Sequence, residues 1–384
     1  MGIFEFSIPT RIEFGTDSIA RLGHFVHSLG NRVFIVSDNI LSLSETLHTV
    51  ESVLKGKGIE AIVHDGVFPS ADSQTTDEIA NLARRSRANV VIGLGGARAC
   101  NLAKLVAFLC ENGGETTDYL HGREGSGRRV FYVEVPTTFR EVYALTASAF
   151  VTDAADQTNK VLNLAGMGTD ILLLDPALMA GLPHKTVATI GLDILALSIE
   201  GYISQRVNPI VEPVLLRGVE IIYYNLQKYL KNPLDVTTRE KLCTAGLFTA
   251  IANIVTGFGI AFALSMGMNG KNRIPKASIT SILLPYVMEY NLSVAASRFA
   301  KIARVMGHSI EGMAETEAAG KAVEAVRKFR EQLGVHLPVK ISQLGLQKDD
   351  LAEAAEVAIR FEDIHSVPRK ASFQNLMEIL EKAY

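Results

Sequence analysis

Cysteine is scarce in this sequence, and charge of one sign does not prevail. The three cysteines among 384 residues, Cys100, Cys110 and Cys243, lie in apolar segments of helical pattern. An odd, scattered set of cysteines does not form a disulfide framework, so we expect reduced thiols. The formal net charge is -3, with 38 basic and 41 acidic residues. This balance excludes the strongly basic surface that is typical of nucleic-acid-binding proteins.

The sequence also lacks the features of export and of membrane insertion. Residues 1–6 have neither the basic region nor the long apolar core of a signal peptide. Residues 242–270 carry no charge over a length that can span a bilayer, but they contain Asn253, Thr256 and several glycines. We therefore interpret this stretch as buried inside protein, and we predict a cytoplasmic protein without a membrane-spanning segment.

The first half of the chain alternates β-branched runs with amphipathic segments. Strands are predicted at 32–37, 60–63, 89–93, 129–136 and 170–176, and helices at 44–57 and 75–88. Alternation of strands and helices at this spacing indicates a parallel sheet with helices on both faces. The length of the chain exceeds one comfortable core, which favours two domains.

The second half has helical segments without strand signals between them. Helices are predicted at 211–230, 238–263, 295–306 and 315–333. Neither an internal repeat nor a low-complexity tract interrupts the pattern. The predicted organisation is an α/β domain of nucleotide-binding type over residues 1–182 and an all-helical domain over residues 183–384.

A glycine cluster follows the third predicted strand and opens a helix. Residues 93–104 read GLGGARACNLAK. Backbone N–H groups and a helix N-terminus beyond the carboxyl end of a parallel strand attract phosphate. We therefore take Gly95, Gly96, Ala97 and Arg98 as candidate nucleotide-binding residues. A tight turn without a ligand is the alternative interpretation.

An acidic residue follows the first buried strand. Asp38 lies where a carboxylate can bind the 2'-hydroxyl of an adenosine ribose and disfavour a 2'-phosphate. An aspartate that caps a helix or stabilises a turn is an equally good interpretation. Asp38 is therefore the candidate that would select NAD over NADP, if the chain binds either.

No histidine occurs between His184 and His308. Within that interval, residues 191–202 read GLDILALSIEGY, residues 257–267 read GFGIAFALSMG and residues 274–278 read IPKAS. These segments resemble, in order, the patterns GMDALTHAIEAY, GLGLVHAMAHPLG and IPHGL of the iron-containing alcohol dehydrogenases. The resemblance covers essentially the whole chain. It implies a Rossmann-like parallel-sheet domain followed by a helical domain, which is the dehydroquinate synthase-like fold.

The resemblance implies a metal site whose ligands have been replaced. Members of the family hold a divalent metal with one aspartate and three histidines, and the metal polarises the alcohol or carbonyl oxygen during hydride transfer. Asp193 is kept, but Leu197, Phe262 and Lys276 stand at the three histidine positions, and Met266 replaces a further histidine. Leucine and phenylalanine donate no lone pair, and a protonated lysine repels a cation. We therefore expect neither iron nor zinc.

The first nucleotide loop also departs from the family pattern. The resemblance aligns the family's GGGSxxDxAK loop with this glycine cluster, so Ala97 replaces a glycine, Arg98 a serine and Asn101 an aspartate. A Cβ at position 97 hinders the close approach of a pyrophosphate to the backbone. The Arg98 side chain either fills the anion site or reaches over a bound phosphate.

The second nucleotide loop departs further. The family pattern PTTxGTGSE keeps Thr137 and Thr138 here, while Phe139, Arg140 and Tyr143 replace smaller or different residues. Small residues let the nicotinamide and its ribose lie against the backbone, and we expect these larger side chains to occupy that space. Thr137, Thr138 and Arg140 remain candidate cofactor contacts, and NAD(P) binding is doubtful.

Other candidate residues are less specific. Lys160 falls near a lysine that contacts the cofactor in relatives, although an exposed surface lysine is the simpler interpretation. His184, His308 and His365 would be the metal ligands only if the alignment above were shifted. None of the three has a suitable helical spacing to Asp193.

Two functions remain open after this comparison. The first is a non-canonical or pseudoenzyme role in ligand binding or assembly, with a small anionic or nucleotide ligand in an interdomain cleft. The second is a metal-independent, NAD(P)-linked oxidoreductase for an alcohol or carbonyl, with Lys276 at the former metal centre. As a separate hypothesis, the Lys276 ammonium balances the charge of the buried Asp193 carboxylate. Analogy with the family predicts a homodimer or a larger homo-oligomer.

Overall fold

The computed structural model describes residues 4–38, 41, 45–67, 72–164 and 166–384. The chain divides into a sheet unit, Ser7–Gly181, and a helical unit that comprises Leu182–Tyr384 and the described residues before Ser7. The division thus falls beside the predicted position at 182/183. Residues 4–6 group with the helical unit, whereas the sequence analysis assigned them to the sheet domain.

The described residues of the sheet unit form eight strands. The strands are β1 Arg11–Phe14, β2 Arg32–Asp38, β3 Glu60–Val67, β4 Val90–Gly95, β5 Phe131–Pro136, β6 Ser148–Thr152, β7 Asn159–Asn163 and β8 Ile171–Leu174. Six of them form a parallel sheet in the order β1-β8-β5-β4-β2-β3. The other two, β6 and β7, form an antiparallel hairpin.

Both faces of the sheet are buried, as parallel sheets require. Along β2, Val33 and Ile35 pack into one apolar cluster, and Phe34 and Val36 pack into another on the opposite face. Successive side chains of a strand point to opposite faces of the sheet. Because both faces are buried, the sequence of β2 is a continuous apolar run, without alternation of apolar and polar residues. All five strands predicted for the sheet are present.

Among the described residues of the sheet unit, five helices accompany these strands. They are α1 Leu22–His27, α2 Glu45–Lys55, α3 Ser73–Arg85, α4 Ala97–Asn112 and α5 Thr116–Leu120, with 3-10 turns at Ser18–Arg21 and Pro176–Met179. The helices predicted at 44–57 and 75–88 correspond to α2 and α3, and residue 44 lies outside the described residues. The Asp72 carboxylate caps α3 by accepting the N–H of Thr75 at 2.9 Å.

The helical unit contains nine helices in the described part of the chain. They are α6 His184–Ile203, α7 Val211–Lys231, α8 Val236–Thr256, α9 Ile260–Asn272, α10 Lys276–Asn291, α11 Ala296–Val305, α12 Glu315–Gln332, α13 Lys348–Ile359 and α14 Phe373–Ala383. The unit also has 3-10 turns at Ile341–Leu344 and Glu362–Ser366. No strand is present among its described residues, as the sequence predicted.

The single helix predicted at 238–263 is wrong, because the chain breaks there into α8 and α9. The two helices are bent by 99° at the break. Gly257 has a φ of 60°, and a Cβ at this position would lie 2.2 Å from the Asp363 Oδ1 atom, so glycine is required. Helical periodicity continues across the break, which is why the sequence pattern did not reveal it.

One helix of the described chain, His184–Ile203, is long and apolar enough to cross a membrane, and α8 with α9 would form a second such span if counted together. Within the apolar window of His184–Ile203, 94% of the residues are buried inside the protein. The uncharged stretch 242–270 lies mostly in α8 and α9, and the chain bends sharply between these two helices. Ile260, Leu264 and Met268 of α9 belong to an apolar core cluster.

Candidate functional site

The glycine cluster forms the turn between β4 and α4. Gly95 ends the strand with a φ of 146°, a backbone conformation that residues with a Cβ rarely adopt. Gly96 is the N-cap of α4, and it provides no side chain to satisfy the first N–H groups of the helix. The structure therefore brings Gly95, Gly96 and Ala97 together at a helix N-terminus, as predicted for an anion site.

The Asp38 carboxylate occupies this helix N-terminus. Its Oδ2 atom accepts the Gly96 N–H at 2.7 Å. Burial raises the pKa of Asp38, while the hydrogen bond from Gly96 and the positive charge of Arg98 act against that rise. A Cβ on Gly95 would lie 2.4 Å from the same oxygen. This hydrogen bond stabilises the turn, and contact of Asp38 with an adenosine ribose stays a prediction.

Asn101 connects α4 to the hairpin. Its Nδ2 group donates to the Ala97 carbonyl at 2.7 Å, and its Oδ1 atom accepts the Phe150 N–H at 3.1 Å. The side chain is 4% exposed, so both polar ends are satisfied inside the protein. The residue that replaces the family's aspartate therefore has a structural function here.

The second loop continues from β5 beside the glycine turn. The Thr137 N–H donates to the Gly95 carbonyl at 2.8 Å, which joins the two loops. The Thr138 hydroxyl lies 3.2 Å from the Glu141 Oε1 atom and donates to it. Phe139, Arg140 and Tyr143 are all buried. The loop therefore packs its large side chains inward.

A buried polar cluster lies on α4, β5 and this loop. Its members are Cys100, Lys104, Tyr132, Glu134 and Glu141, all at most 5% exposed. The Tyr132 hydroxyl is 2.7 Å from the Cys100 carbonyl and 3.0 Å from the Glu134 Oε2 atom. The Lys104 ammonium donates to the carbonyls of Tyr143 and Thr146 at 2.5 and 3.1 Å. We call this set the β5 cluster.

Burial shifts the acid–base properties of the β5 cluster. It raises the pKa of Glu134, which the nearby Lys104 ammonium partly offsets, and it raises the pKa of Glu141 much further, with Glu134 adding repulsion. It lowers the pKa of Lys104. The pKa of Arg140 falls to about 10 through desolvation, against the attraction of Glu141. Two carboxyl groups and two cations thus share one buried region.

Three side chains of the β5 cluster could in principle hold a metal ion. The Cys100 Sγ atom and one carboxylate oxygen each from Glu134 and Glu141 lie within 4.8 Å of one another. However, burial raises the pKa of the Cys100 thiol well above its usual value, and the two glutamates add repulsion. Lys104 and Arg140 already supply positive charge equal to that of the two carboxylates. The cluster needs no ion for charge balance.

No local sequence pattern marks the β5 cluster as a whole. The available signal was Glu134 inside the apolar run YVEVP, because an acidic residue in a buried parallel strand must have a partner. Its hydrogen-bond partner Tyr132 lies on the same strand, whereas Lys104, whose positive charge acts on Glu134, lies on α4 and carries no local mark of burial. Only the packing of α4 on β5 shows that the two charges interact.

The positions implied for the metal lie on three helices of the helical unit. Asp193 and Leu197 are one turn apart on α6, and Phe262 and Met266 are one turn apart on α9. Lys276 is the first residue of α10, and α6 and α9 both pack against α10. Asp193 is 0% exposed and Lys276 is 9% exposed. All of these implied positions are therefore buried inside the helical unit.

A second buried carboxyl group lies on α6 next to this region. The Glu200 Oε1 atom accepts the Ala261 N–H at 2.9 Å, at the N-terminus of the helix that carries Phe262. A Cβ on Gly259 would lie 2.3 Å from that oxygen, so the close approach requires glycine. Desolvation raises the pKa of Glu200 to about 7, although backbone N–H groups of α9 act against the rise.

Lys160 is not the exposed surface lysine that the sequence suggested. Its side chain is 33% exposed, and its ammonium lies 2.5 Å from Asp153 and 3.0 Å from Asp156. These contacts raise the pKa of Lys160 against the effect of burial. These ion pairs join Lys160 of β7 to two aspartates in the connection between β6 and β7.

Two family profiles match the chain. The one described as "Iron-containing alcohol dehydrogenase" matches residues 9–176, and the one described as "Fe-containing alcohol dehydrogenase family, C-terminal" matches residues 186–384. The chain therefore belongs to the iron-containing alcohol dehydrogenase family, a family of oxidoreductases. This membership confirms both the predicted resemblance and the predicted fold class.

Curated relatives and solved structures agree with this assignment. The 1,3-propanediol dehydrogenase of Klebsiella pneumoniae is 26% identical over 390 residues, which cover 100% of this chain and 99% of that protein. The lactaldehyde reductase of Escherichia coli K12 is 25% identical, over 96% of this chain and 94% of its own. A crystal structure of 1,3-propanediol oxidoreductase has a TM-score of 0.94 at 25% identity, with 100% of both chains covered.

The residues present do not fit the metal that the family name implies. Of the four implied positions, only Asp193 carries a metal-binding group, since Leu197 and Phe262 have none and Lys276 is cationic. The dinucleotide loop fits poorly as well, because Asp38 takes the Gly96 N–H that faces an anion at the start of α4. A bound pyrophosphate would first have to displace that carboxylate.

Proposed function

We propose that this chain is a divergent member of its family that has lost metal-dependent hydride transfer and ordinary NAD(P) binding. It acts instead as a pseudoenzyme in ligand binding or assembly, as a cytoplasmic homodimer or larger homo-oligomer. The observation that carries this proposal is the donor set of the implied metal site, in which one carboxylate, Asp193, remains. A single carboxylate does not hold a catalytic transition metal.

The electrostatics of the helical unit support this proposal. A carboxylate as fully buried as Asp193 needs a compensating charge or must take up a proton. Lys276 is nearly buried at the start of α10, which packs against the helix of Asp193. We propose that its ammonium supplies the positive charge that a metal supplies in relatives.

The changes in the sheet unit agree with loss of the cofactor. The ligand of the proposed role is a small anion or nucleotide, and Arg98 and Arg140 are the cations that would select it. Arg140 is 6% exposed, and the positive charge of Arg98 acts on Asp38 at the helix N-terminus. The Thr137 N–H and the Thr138 hydroxyl both donate hydrogen bonds within the protein.

A second function follows from the burial of Lys276. A lysine held in a poorly solvated place can lose its proton near neutral pH and act as a base, or as a cation polarise a carbonyl oxygen. The alternative is thus a metal-independent, NAD(P)-linked oxidoreductase for an alcohol or carbonyl substrate. It requires that dinucleotide binding survives the changes in both loops.

The test is calorimetric titration of the purified full chain with NAD and with NADP, together with the metal content of the same sample. The same titrations are repeated after incubation with Zn²⁺ and with Fe²⁺ followed by dialysis. We expect no stoichiometric metal, and a Kd for either dinucleotide weaker than about 1 mM. Micromolar dinucleotide binding without metal would favour the oxidoreductase alternative. Micromolar binding with stoichiometric iron or zinc would overturn both functions.

A further inference from the structure

The helical unit has a surface pocket at the end of α12. It is about 370 Å³ in volume, and it is lined by Pro285 and Tyr286 of α10, by the last turns of α12 and by residues 335–343. That volume lies in the range of small-ligand sites. None of the residues implied for metal or cofactor binding lines it. We call it the Arg330 pocket.

Positive charge prevails in the Arg330 pocket. Arg327, Arg330 and Lys340 line it, and Glu331 is the single acidic residue among its lining. Arg327 is already paired, since it lies 2.8 Å from Glu289. Among the described residues, neither Arg330 nor Lys340 forms an ion pair with a carboxylate. The pocket therefore holds two cations that form no direct ion pair with a carboxylate among the described residues.

Arg330 is held in place but incompletely satisfied. One of its terminal nitrogens donates to the Pro338 carbonyl. Its Nε atom is buried, and it has no acceptor in the described part of the chain. Desolvation lowers the pKa of Arg330 to about 10, and the charge of Arg327 adds to this effect. A poorly solvated guanidinium in this situation gains most from an anionic partner.

The remaining walls are suited to the body of a small organic molecule. The Arg327 guanidinium lies over the Tyr286 ring at 5.0 Å from its centroid, which fixes the position of that ring. Val335, Leu337 and Val339 add apolar surface to the lining. A few polar groups in a largely apolar pocket are the usual arrangement of a specific small-molecule site.

We propose that the Arg330 pocket binds a small organic anion, with Arg330 and Lys340 contacting its carboxylate or phosphate oxygens and with Tyr286 and Leu337 contacting its body. Arginine matches the planar, two-oxygen geometry of these groups, and lysine adds a second positive charge. This site goes beyond the proposed function. It does not depend on metal or dinucleotide binding, because its residues lie on other parts of the helical unit.

The test is calorimetric titration of the full chain with sodium benzoate and with sodium phosphate at low ionic strength. The variants are Lys340→Glu and Arg330→Gln, with Lys55→Glu as the control, since Lys55 is an exposed lysine on α2 of the sheet unit. Circular dichroism and melting temperature establish that each variant is folded. Low ionic strength limits screening of the contact.

We expect at least one anion to bind the wild type with a Kd on the order of 1 mM or tighter, and Lys55→Glu to bind equally well. Lys340→Glu should weaken this binding by about tenfold or more. Tighter binding of benzoate identifies a carboxylate with an apolar body, and tighter binding of phosphate identifies a phosphate ester. Absence of binding by both anions, or equal binding by folded Lys340→Glu, would overturn the proposal.

Discussion

The carboxylate of Asp38 accepts the backbone N–H of Gly96 at 2.7 Å, at the start of a sixteen-residue helix. A helix N-terminus attracts an anion, because its first N–H groups are unsatisfied and its dipole is positive there. In this chain the anion is a side chain from the neighbouring strand. The glycine turn is therefore already charge-compensated by the protein itself.

Removal of this carboxylate should open the turn to an external anion. We expect Asp38→Ala to bind inorganic pyrophosphate about tenfold more tightly than the wild type, because a negative charge is lost and a donor is freed. The variant should also be less stable by about 1–2 kcal/mol. Calorimetry and urea denaturation measure the two effects. Asp65→Ala, at an exposed position, is the control, and an unchanged pyrophosphate affinity would refute the interpretation.

The β5 cluster should depend on its lysine. We expect Lys104→Met to lower the free energy of unfolding by about 3 kcal/mol, because Glu134 and two carbonyl groups lose a buried cation. The double variant Lys104→Met/Glu134→Gln should recover part of this loss, since it removes the uncompensated charge as well. Urea denaturation measures both, with Lys55→Met as the control. Additive losses in the double variant would show that the two residues are not coupled.

Lys276 should stabilise the helical unit if its ammonium balances Asp193. We expect Lys276→Ala to lower the free energy of unfolding by about 3–5 kcal/mol, because it would leave a buried carboxylate without its cation. Adding Asp193→Asn in the same chain should restore part of the stability. Lys271→Ala, whose side chain is 63% exposed, is the control. An unchanged melting temperature for Lys276→Ala would contradict the pairing.

Glu200 should make stability depend on pH below neutrality. Its pKa is raised from 4.5 to about 7 in the folded protein, so between these values the folded state binds more protons than the unfolded state. The contribution of Glu200 to stability is therefore full below pH 4.5 and is lost as the pH rises through 7.

The matched variant Glu200→Gln removes this titration. The difference in free energy of unfolding between wild type and Glu200→Gln should change by about 3 kcal/mol from pH 4.5 to pH 7. Glu356→Gln, an exposed position on α13, should track the wild type at every pH. A constant difference across this range would mean that the Glu200 pKa is not raised.

Restoring the family ligands should restore metal binding. We expect the triple variant Leu197→His/Phe262→His/Lys276→His to retain stoichiometric Zn²⁺ after dialysis, because Asp193 then has three imidazole partners. In the control, Leu195→His replaces Leu197→His. That side chain lies on a different side of α6, and it is equally buried. Equal zinc retention by test and control variants would refute the alignment of the metal positions.

Much of the fold was predictable, because its signals are local. The apolar run of β2 and the glycines after β4 mark a buried parallel strand and a turn in any context. The exception is the predicted helix 238–263. There the apolar pattern continues through Gly257, while the contact that demands a bend comes from Asp363, more than a hundred residues later.

The candidate site was predictable only in part. Residue identity alone establishes that the side chains of Leu197 and Phe262 provide no metal-binding atoms. Residue identity did not reveal that Lys160 forms an ion pair with Asp153, or that Lys104 is fully buried. A lysine on a helix is exposed in most proteins, so its burial is a property of the packing.

The amino-acid sequence thus determines the family and the two kinds of domain, and it places Leu197, Phe262 and Lys276 in the segments aligned with the family's metal-binding patterns, since each of these follows from residue type and local pattern. The tertiary structure determines which charged side chains are buried and which groups they interact with. It places the Asp38 carboxylate on an N–H group 58 residues away, and it buries Lys104 where the positive charge acts on Glu134. Hydrogen bonds and desolvation between distant residues arise only when strands and helices pack, and for that reason local patterns do not contain them.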